Sequence, residues 1–352
     1  MPARMNRGVL AALAAAGLFG AGTPLAKILL GETSPWILAG MLYAGSGCGL
    51  WLLRQVRGSP PVHIAPGELR WLIGAIAAGG VIAPVLLMAG LSALAGSSVS
   101  LLLNMEGVLT ALLAWFVFKE NFDRRIALGM LAIVAGAVVL SWPYGEEGRI
   151  TLVWPALAVL AACLAWAIDN NLTRKVALSD ATWIAMVKGL SSGATNLTLA
   201  FILGAQVPSA ASALGAGIVG FLSYGASLAL FVVALRDLGT ARTGAYFSVA
   251  PFFGAVLSLW LLHEPVTGAL LVAGVLMGIG VYLHLTEHHS HEHLHEPVTH
   301  EHEHVHGDGD THHDHLHEPP VAPGTRHVHT HDHGELRHSH AHYPDAHHRH
   351  VH

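Results

Sequence analysis

Residues 98 to 115 read Ser-Val-Ser-Leu-Leu-Leu-Asn-Met-Glu-Gly-Val-Leu-Thr-Ala-Leu-Leu-Ala-Trp, a run in which Glu106 is the single ionisable residue. A run of this length and character predicts a helix that crosses a bilayer, because about 20 apolar helical residues span the hydrocarbon core. The whole chain agrees, since 53% of its 352 residues are hydrophobic and only 12% are charged. That balance is too apolar for a soluble domain and predicts an integral membrane protein.

Nine further segments have the same character, which makes ten candidate membrane spans. They lie at about residues 8–30, 34–54, 69–91, 97–118, 125–142, 152–170, 181–204, 212–235, 242–262 and 266–285. Helices satisfy their own backbone hydrogen bonds inside lipid, so we expect an all-α integral membrane protein with ten transmembrane helices.

The chain also repeats itself. Leu91-Ser-Ala-Leu-Ala-Gly-Ser97 aligns with Leu235-Arg-Asp-Leu-Gly-Thr-Ala241, and Lys119-Glu120 aligns with His263-Glu264. A weaker match aligns Pro24-Leu-Ala-Lys27 with Asn171-Leu-Thr-Arg174. These matches predict two five-helix units, and because five is odd the second unit is inverted relative to the first. We expect the repeats at residues 1–145 and 146–285, followed by a separate tail at residues 286–352.

These segments resemble the EamA family of the drug/metabolite transporter superfamily. The residues that carry the resemblance are Gly17-Leu-Phe-Gly-Ala-Gly-Thr-Pro-Leu-Ala-Lys27, the run from Ser98 to Trp115, and Ser248-Val-Ala-Pro-Phe-Phe-Gly254. The resemblance covers nearly all of residues 8–285 and implies a transporter of small organic molecules, often an exporter. Where the family usually has Glu-Pro in the fourth helix, this chain has Glu106-Gly107. The resemblance therefore predicts a proline kink only in the second repeat, at Pro251.

The positions of Lys and Arg predict the orientation. With the N-terminus in the cytoplasm, twelve Lys and Arg residues flank the spans on the cytoplasmic side and only Arg149 lies outside, as the positive-inside rule requires. An even number of spans returns the C-terminus to the same face. We therefore expect a multi-pass protein of the cytoplasmic membrane, in contact with lipid and with both termini in the cytoplasm.

Candidate substrate-binding residues are the polar, ionisable and helix-breaking residues within the spans. They are Gly20, Gly22, Thr23, Pro24, Lys27, Asn104, Glu106, Trp166, Asp169, Asn170 and Ser248. The glycines and Pro24 predict a break in the first helix that would free backbone groups for substrate, although close helix packing is an equal alternative. Burying an unpaired charge is costly, so Lys27, Glu106, Asp169 and Lys188 are functional candidates by default.

Each ionisable candidate has a simpler alternative. Lys27 lies towards the outer end of its helix, where its ammonium group can reach the membrane interface. Glu106 can carry a proton during transport, or it can form a structural hydrogen bond with a neighbouring helix or pair with a lysine. Asp169 and Asn170, together with Trp166, are expected to face a cavity rather than lipid.

The tail after Leu285 contains 24 of the 27 histidines, mostly in His-x-His alternation, and has a net charge of −9 against +4 for the body. Its Pro, Gly, Asp and His composition predicts a disordered segment. Imidazole is a ligand for zinc, nickel, cobalt and copper, so we expect the tail to bind a divalent transition metal although the body requires no cofactor. The candidate ligands are His291, His293, His295, His300, His302, His304, His306, His313, His315, His317, His327, His329, His331 and His333.

The best reading is a secondary transporter of a small metabolite or drug-like solute, with the metal-binding tail as an accessory or regulator. In one alternative, the protein transports nickel, cobalt or zinc, and the tail captures the ion. In the other, the protein is a membrane-anchored metal sensor or store. Nucleic acid is not an expected partner because neither half is strongly basic, whereas a homodimer is compatible with the sequence. No enzyme activity is expected, since the H-E-x-x-H matches in the tail lack the helix that this motif needs.

Overall fold

The structure, a computed structural model, describes residues 2–62, 64, 66–118, 124–142, 153–176, 180–238, 243 and 246–285, and in the tail 290–295, 298–305, 326–333 and 336–341. Residues Met1–Glu287 form one compact unit, which we call the body. Residues His288–His352 form a second unit, the tail.

The first repeat of the body is built from helices joined by short connections. They are α1 (Pro2–Leu29), α2 (Pro35–Arg57), α3 (Pro66–Ala75), a π-helical segment (Ile76–Ile82), α4 (Ala83–Ala93), α5 (Gly96–Leu102), α6 (Met105–Phe118) and α7 (Arg124–Ser141). The second repeat follows the same order. It contains α8 (Val153–Thr173) with a 3₁₀ turn (Arg174–Val176), α9 (Ala181–Ile202), α10 (Ala210–Gly220), a π-helical segment (Phe221–Ala226), α11 (Ser227–Leu238), α12 (Ala250–Leu261) and α13 (Gly268–Leu285).

The prediction of an all-α membrane protein is confirmed. Seven helical spans of the described residues are long and apolar enough to cross a bilayer, and α12 and α13 are shorter apolar helices. Helix α9 has 22 residues, which is long enough, but its Lys188 and Asn196 make it more polar than those seven. Together these ten segments correspond to the ten predicted spans.

Packing between the helices follows the repeat. Helix α2 packs most extensively on α9, and α7 packs on α13, which are the pairs of equivalent helices in the two repeats. Helix α1 packs on α11 and α12, and the equivalent helix α8 packs on α4 and α6. This exchange of partners is what two units related by a two-fold axis produce, as in transporters with inverted repeats.

Several helices begin at N-capping residues that the local sequence supplies. Ser34 caps α2 by accepting a hydrogen bond from the Ile37 amide, and Pro35 occupies the first turn. Asp180 caps α9 through the Trp183 amide, and Ser209 caps α10 through the Ser212 amide. These caps satisfy amides that a helix start would otherwise leave unpaired.

One prediction about helix breaks is wrong and another is incomplete. Helix α1 runs without interruption from Pro2 to Leu29 with Pro24 inside it, so the predicted break in the first helix is absent. The break lies instead between α5, which ends at Leu102, and α6, which begins at Met105. It forms without a proline, whereas Pro251 lies in the first turn of α12 in the second repeat.

Polarity is distributed as a membrane requires. Large apolar side chains such as Val56, Trp260 and Val275 are exposed on the outside of the body, where lipid would contact them. Buried polar residues lie between the helices; they include Ser46, Ser100, Asn104, Asp169, Asn171, Ser192, Asn196, Ser223, Ser227 and Ser258. The polar interior is therefore the part of the body that can hold a site.

The tail contains four short β-strands within its described residues. Strand β1 (Ser290–His295) pairs antiparallel with β4 (Leu336–Ala341), and β2 (Val298–Val305) pairs antiparallel with β3 (Arg326–His333). The His-x-His alternation has the period of two that strands have.

Candidate functional site

Two π-helical segments interrupt equivalent helices of the two repeats. Ile76–Ile82 lies between α3 and α4, and Phe221–Ala226 lies between α10 and α11. A π segment widens the helix and displaces its carbonyl groups from the regular hydrogen-bonding ladder. Such segments are frequent at functional sites, and here they bring polar groups into the interior of both repeats.

The carbonyl groups of the first π segment accept hydrogen bonds from three other helices. The Gly79 carbonyl accepts from the Tyr43 hydroxyl at 2.8 Å and from the Trp166 indole N–H at 3.0 Å. The neighbouring Gly80 carbonyl accepts from the Asn196 amide group at 2.8 Å. Side chains from α2, α8 and α9 therefore converge on two glycines that the sequence analysis did not single out.

Asp169 of α8 and Lys188 of α9 form an ion pair inside the body. The Lys188 ammonium lies 2.6 Å and 2.7 Å from the two carboxylate oxygens of Asp169, and the Asp169 side chain is only 7% exposed. Thr173 donates a hydrogen bond to the same carboxylate at 2.8 Å. Lys188 and Thr173 therefore satisfy the Asp169 carboxylate in the interior of the body.

This pair leaves no room beside the π segment. A Cβ atom on Gly79 would collide with the Asp169 carboxylate, and one on Gly80 would collide with the Ser192 hydroxyl. The two glycines are thus required by close approach, and the position of Asp169 is coupled to the π segment.

Glu106 of α6 is linked to α8 by hydrogen bonds rather than by an ion pair. The Asn170 amide group donates to Glu106 at 2.8 Å and to the Thr110 hydroxyl at 3.3 Å. The Asn171 amide group donates to the Thr110 carbonyl at 3.3 Å. Glu106 is also close enough to Asp169 to interact with it electrostatically. This is the hydrogen-bonding alternative considered for Glu106, and it brings Glu106, Asp169 and Asn170 into one polar cluster.

The glycines of α1 are packing positions. A Cβ on Gly20 would collide with the backbone of α12 at Ala250 and lie 3.0 Å from the Gly254 nitrogen. A Cβ on Gly22 would lie 3.1 Å from the Ser223 Cβ in the second π segment. Because Pro24 has no N–H, it cannot satisfy the carbonyl four residues earlier, that of Gly20, and this carbonyl faces Gly254.

A small cavity lies where α1, α5 and α12 meet. Its lining combines both repeats and consists of Phe19, Gly20, Thr23, Ser100, Leu103, Ala250, Pro251 and Gly254. The space between these residues, about 180 Å³ including the part open to solvent, is small. The Ser100 hydroxyl is buried at the cavity and has no hydrogen-bond partner among the described residues. A buried hydroxyl of this kind is costly unless something binds it.

The turns next to the cavity contain the two remaining candidates. Asn104 lies in the turn between α5 and α6, where its amide group donates to the Leu101 carbonyl at 2.9 Å. Ser248 lies in the turn before α12. Both turns are discontinuities of spanning helices, and backbone groups are available for ligands at such points.

Lys27 and Glu264 hold the turn between α4 and α5. The Lys27 ammonium donates to the carbonyls of Leu91 at 2.5 Å and Leu94 at 2.7 Å, at the C-terminal end of α4. The Glu264 carboxylate accepts from the amides of Gly96 at 2.6 Å and Ser97 at 2.9 Å, at the start of α5. Each charge has the sign that its helix end favours. We call this arrangement the Lys27–Glu264 clamp. Lys27 was predicted as a site residue, whereas Glu264 was not.

Two tyrosines from different repeats meet inside the body with their rings tilted against each other. The rings of Tyr43 and Tyr224 have centroids 5.6 Å apart, and Phe19 of α1 meets the Tyr224 ring edge-on at 5.9 Å. Neither tyrosine was predicted as a site residue. Tyr43 lies in a glycine-rich apolar helix, where a buried hydroxyl needs a partner, and that need was the available signal.

The candidate metal ligands of the tail fall into two groups. His291, His293, His295, His300, His302, His304, His327, His329, His331 and His333 lie in the strands, whereas His306, His313, His315 and His317 lie outside the described residues. Among the side chains that the structure describes, no group of three His, Cys, Asp or Glu residues is placed to hold a metal.

Comparison with known proteins agrees with the fold. The chain matches the EamA-like transporter family over residues 6–142 and again over residues 153–286. An uncharacterized transporter of Methanothermobacter thermautotrophicus is 27% identical over 293 residues, which cover 78% of this chain and 85% of that protein. A protein of known crystal structure matches with a TM-score of 0.60 and 19% identity, over 79% of this chain and 98% of its own. At that identity the structural match concerns the fold alone.

Proposed function

Because the chain belongs to the EamA-like transporter family and is a multi-pass membrane transporter, we propose that it moves a small organic solute by alternating access between its two repeats. One observation carries this proposal. The small cavity between α1, α5 and α12 is lined by both repeats and lies beside two helix discontinuities. Binding at the interface of inverted repeats, next to broken helices, is how secondary transporters expose one site to either side.

The cavity supports a polar cargo. The unpartnered Ser100 hydroxyl and the buried Thr23 hydroxyl are neutral hydrogen-bonding groups, and no charged side chain belongs to the lining. A small solute with hydroxyl or amide groups would satisfy them, whereas a bare divalent cation would meet too few ligands. The small size of the cavity implies that it enlarges when cargo enters.

The orientation supports a gate on each side of the membrane. If the N-terminus is cytoplasmic, as the positive-inside bias favours, the Lys27–Glu264 clamp closes the outer end of the cavity. In the sequence repeat, Lys27 aligns with Arg174 and Glu264 aligns with Glu120. An inverted copy of the clamp on the cytoplasmic side would then close when the outer clamp opens.

The tail serves as a metal-binding accessory in this proposal. Its 24 histidines supply imidazole ligands, and its net charge of −9 attracts cations. With an even number of spans, the tail lies on the same side as the N-terminus, in the cytoplasm. There it would bind zinc, nickel, cobalt or copper without being the route of transport.

Flux in proteoliposomes tests the proposal. The full chain is reconstituted, and the uptake of radiolabelled amino acids, nucleosides and sugars is compared with that of Ni²⁺, Co²⁺ and Zn²⁺. We expect flux of at least one organic solute, reduced by Ser100→Ala and Thr23→Val and unchanged when the tail histidines are replaced by Asn.

The matched control is Gly17→Ala, on the same helix as Thr23 but with no atom within 4 Å of the added methyl group. Metal flux that persists without the tail histidines and fails in Glu106→Gln would make the ion the cargo. That result would overturn the organic-solute proposal.

A further inference from the structure

Glu106 presents a carboxylate oxygen that has no partner. The Asn170 amide group donates to Glu106 Oε1 at 2.8 Å, and within the described part of the body no hydrogen bond reaches Oε2. The neighbouring ammonium group of Lys188 is already used, because it lies 2.6 Å and 2.7 Å from the two carboxylate oxygens of Asp169. Among the residues that the structure describes, the Glu106 carboxylate therefore has no cationic partner.

The local structure favours the ionised form of this carboxylate and leaves it accessible. Glu106 lies in the first turn of α6, where the positive end of the helix dipole favours a negative charge. Glu106 is only partly buried, Asn170 is exposed, and a Cβ atom on the adjacent Gly107 would meet open space. Because a partly buried charge without a counter-ion is costly, a cation that reaches Glu106 would be bound favourably.

The turn between α5 and α6 joins Glu106 to the cavity described above. Ser100 and Leu103 line that cavity, and the Glu106 amide donates to the Leu103 carbonyl at 3.1 Å. The Ser100 hydroxyl is buried, with the residue only 1% exposed, and has no hydrogen-bond partner among the described residues. The two sides of this turn therefore supply a hydroxyl that needs a polar partner and a carboxylate that needs a cation.

Three aromatic side chains, Phe19, Tyr43 and Tyr224, connect the same two places, and we call them the aromatic wall. Phe19 lines the cavity and meets the Tyr224 ring edge-on, with centroids 5.9 Å apart. The Tyr43 ring lies 5.6 Å from the Tyr224 ring, and both tyrosines are close enough to Glu106 to interact with it electrostatically. Aromatic faces attract cations, and aromatic rings pack well against the apolar parts of a solute.

We propose that the cargo is a positively charged organic amine, whose ammonium group binds Glu106, whose apolar part contacts the aromatic wall and whose hydroxyl or amide group binds Ser100. This inference rests on the proposed function and specifies the substrate class of that site. A neutral solute would leave the Glu106 carboxylate without a counter-ion, and an anionic solute would be repelled by it. A divalent metal ion needs about six oxygen ligands, more than Glu106 and Asn170 supply.

Matched solutes test the inference with the full chain. Tyramine carries an ammonium group and a hydroxyl group, tyrosol replaces the ammonium group by a hydroxyl group, and phenethylamine lacks the phenol hydroxyl. Binding of the radiolabelled solutes at neutral pH is measured in detergent by equilibrium dialysis. Glu106→Gln removes the charge and keeps an acceptor for Asn170. Glu32→Gln is the matched control, because the Glu32 carboxylate accepts from the Ser212 hydroxyl at 2.7 Å and does not line the cavity.

We expect the unaltered chain and Glu32→Gln to bind tyramine at least about tenfold more tightly than tyrosol, as a hydrogen bond to a charged group implies. Glu106→Gln should bind the two solutes equally, and Ser100→Ala should lose the preference for tyramine over phenethylamine. Equal binding of tyramine and tyrosol by the unaltered chain, or a preference for tyramine that survives Glu106→Gln, would overturn the inference. If Glu106→Gln binds neither solute, Glu106→Asp decides: a retained preference for tyramine supports the inference, and a lost one contradicts it.

Flux of the same solutes in proteoliposomes separates this inference from the proposed function. Faster transport of tyramine than of tyrosol, lost in Glu106→Gln, is the expected result. Transport of tyrosol at the same rate as tyramine would overturn the amine assignment and leave the proposed function standing. If the unaltered chain transports no organic solute, the proposed function fails and the amine assignment fails with it.

Discussion

Breaking the ion pair between Asp169 and Lys188 should be costly, and restoring neutrality should recover the loss. Lys188→Met leaves the Asp169 carboxylate without its counter-ion at a position where its side chain is 7% exposed. Asp169→Asn leaves the ammonium group of Lys188 without its counter-ion, at a position where that side chain is 18% exposed. The double variant removes both charges and leaves groups of similar size.

The magnitude follows from the distance and the burial. At 2.6 Å and an effective dielectric constant of about 20, the attraction is about 6 kcal/mol. Desolvation of two ions offsets much of this, so the intact pair contributes little net stability. Removing one partner has no such offset and should lower the free energy of unfolding by about 3–5 kcal/mol. The double variant should be about 2 kcal/mol more stable than the sum of the two single effects implies.

The assay is reversible unfolding in mixed micelles of increasing SDS content, together with solute flux in proteoliposomes. Thr195→Ala on the same helix is the control, because that hydroxyl only donates to the Ser191 carbonyl of its own helix. Single variants within about 0.5 kcal/mol of the unaltered chain, or strictly additive effects, would refute the reasoning. If the double variant regains stability and flux, the pair is structural; if it regains stability alone, Asp169 or Lys188 takes part in transport.

Three further outcomes are expected. Gly79→Ala should lower stability and flux because its methyl group would displace the Asp169 carboxylate, whereas Gly17→Ala, with open space around it, should leave both unchanged; equal effects would contradict the packing argument. Glu264→Gln should speed hydrogen–deuterium exchange at the Gly96 and Ser97 amides, since charge-assisted hydrogen bonds to the carboxylate are about twice as strong as neutral ones; unchanged exchange would show that the turn is held by other contacts. Burial acts to raise the pKa of Asp180, but the Trp183 amide and the Arg54 guanidinium outweigh it and hold the pKa below its usual value. The stabilisation by the Asp180 carboxylate is therefore present above about pH 4 and is lost as pH falls through the lowered pKa. Asp180→Ala should lower the free energy of unfolding by about 1 kcal/mol at pH 7, and this loss should shrink below pH 4 when it is followed by thermal unfolding. A loss of stability that grows in acid would contradict this prediction.

The location of the candidate site was only partly predictable from the sequence. Polar and ionisable residues in apolar spans are easy to find, and Lys27, Glu106 and Asp169 were found in this way. Their partners are not predictable in the same way, because Asp169 and Lys188 lie on different helices whose rotation depends on packing. Tyr43 was missed for the same reason, since its partner is a backbone carbonyl in a π segment.

The sequence by itself determined the membrane environment, the ten spans and the two repeats, because these follow from the length, hydropathy and order of segments that are continuous in the chain. It also determined that the tail is rich in metal ligands. Only the tertiary structure decided that α1 is unbroken, that α5 and α6 are separated at Leu103 and Asn104, and that Lys27 and Glu264 hold one turn from opposite sides. It alone decided the strand register that pairs the histidines. Hydropathy depends on each residue and its neighbours in sequence, whereas helix breaks, ion pairs and register depend on which distant groups come within a few ångströms of each other.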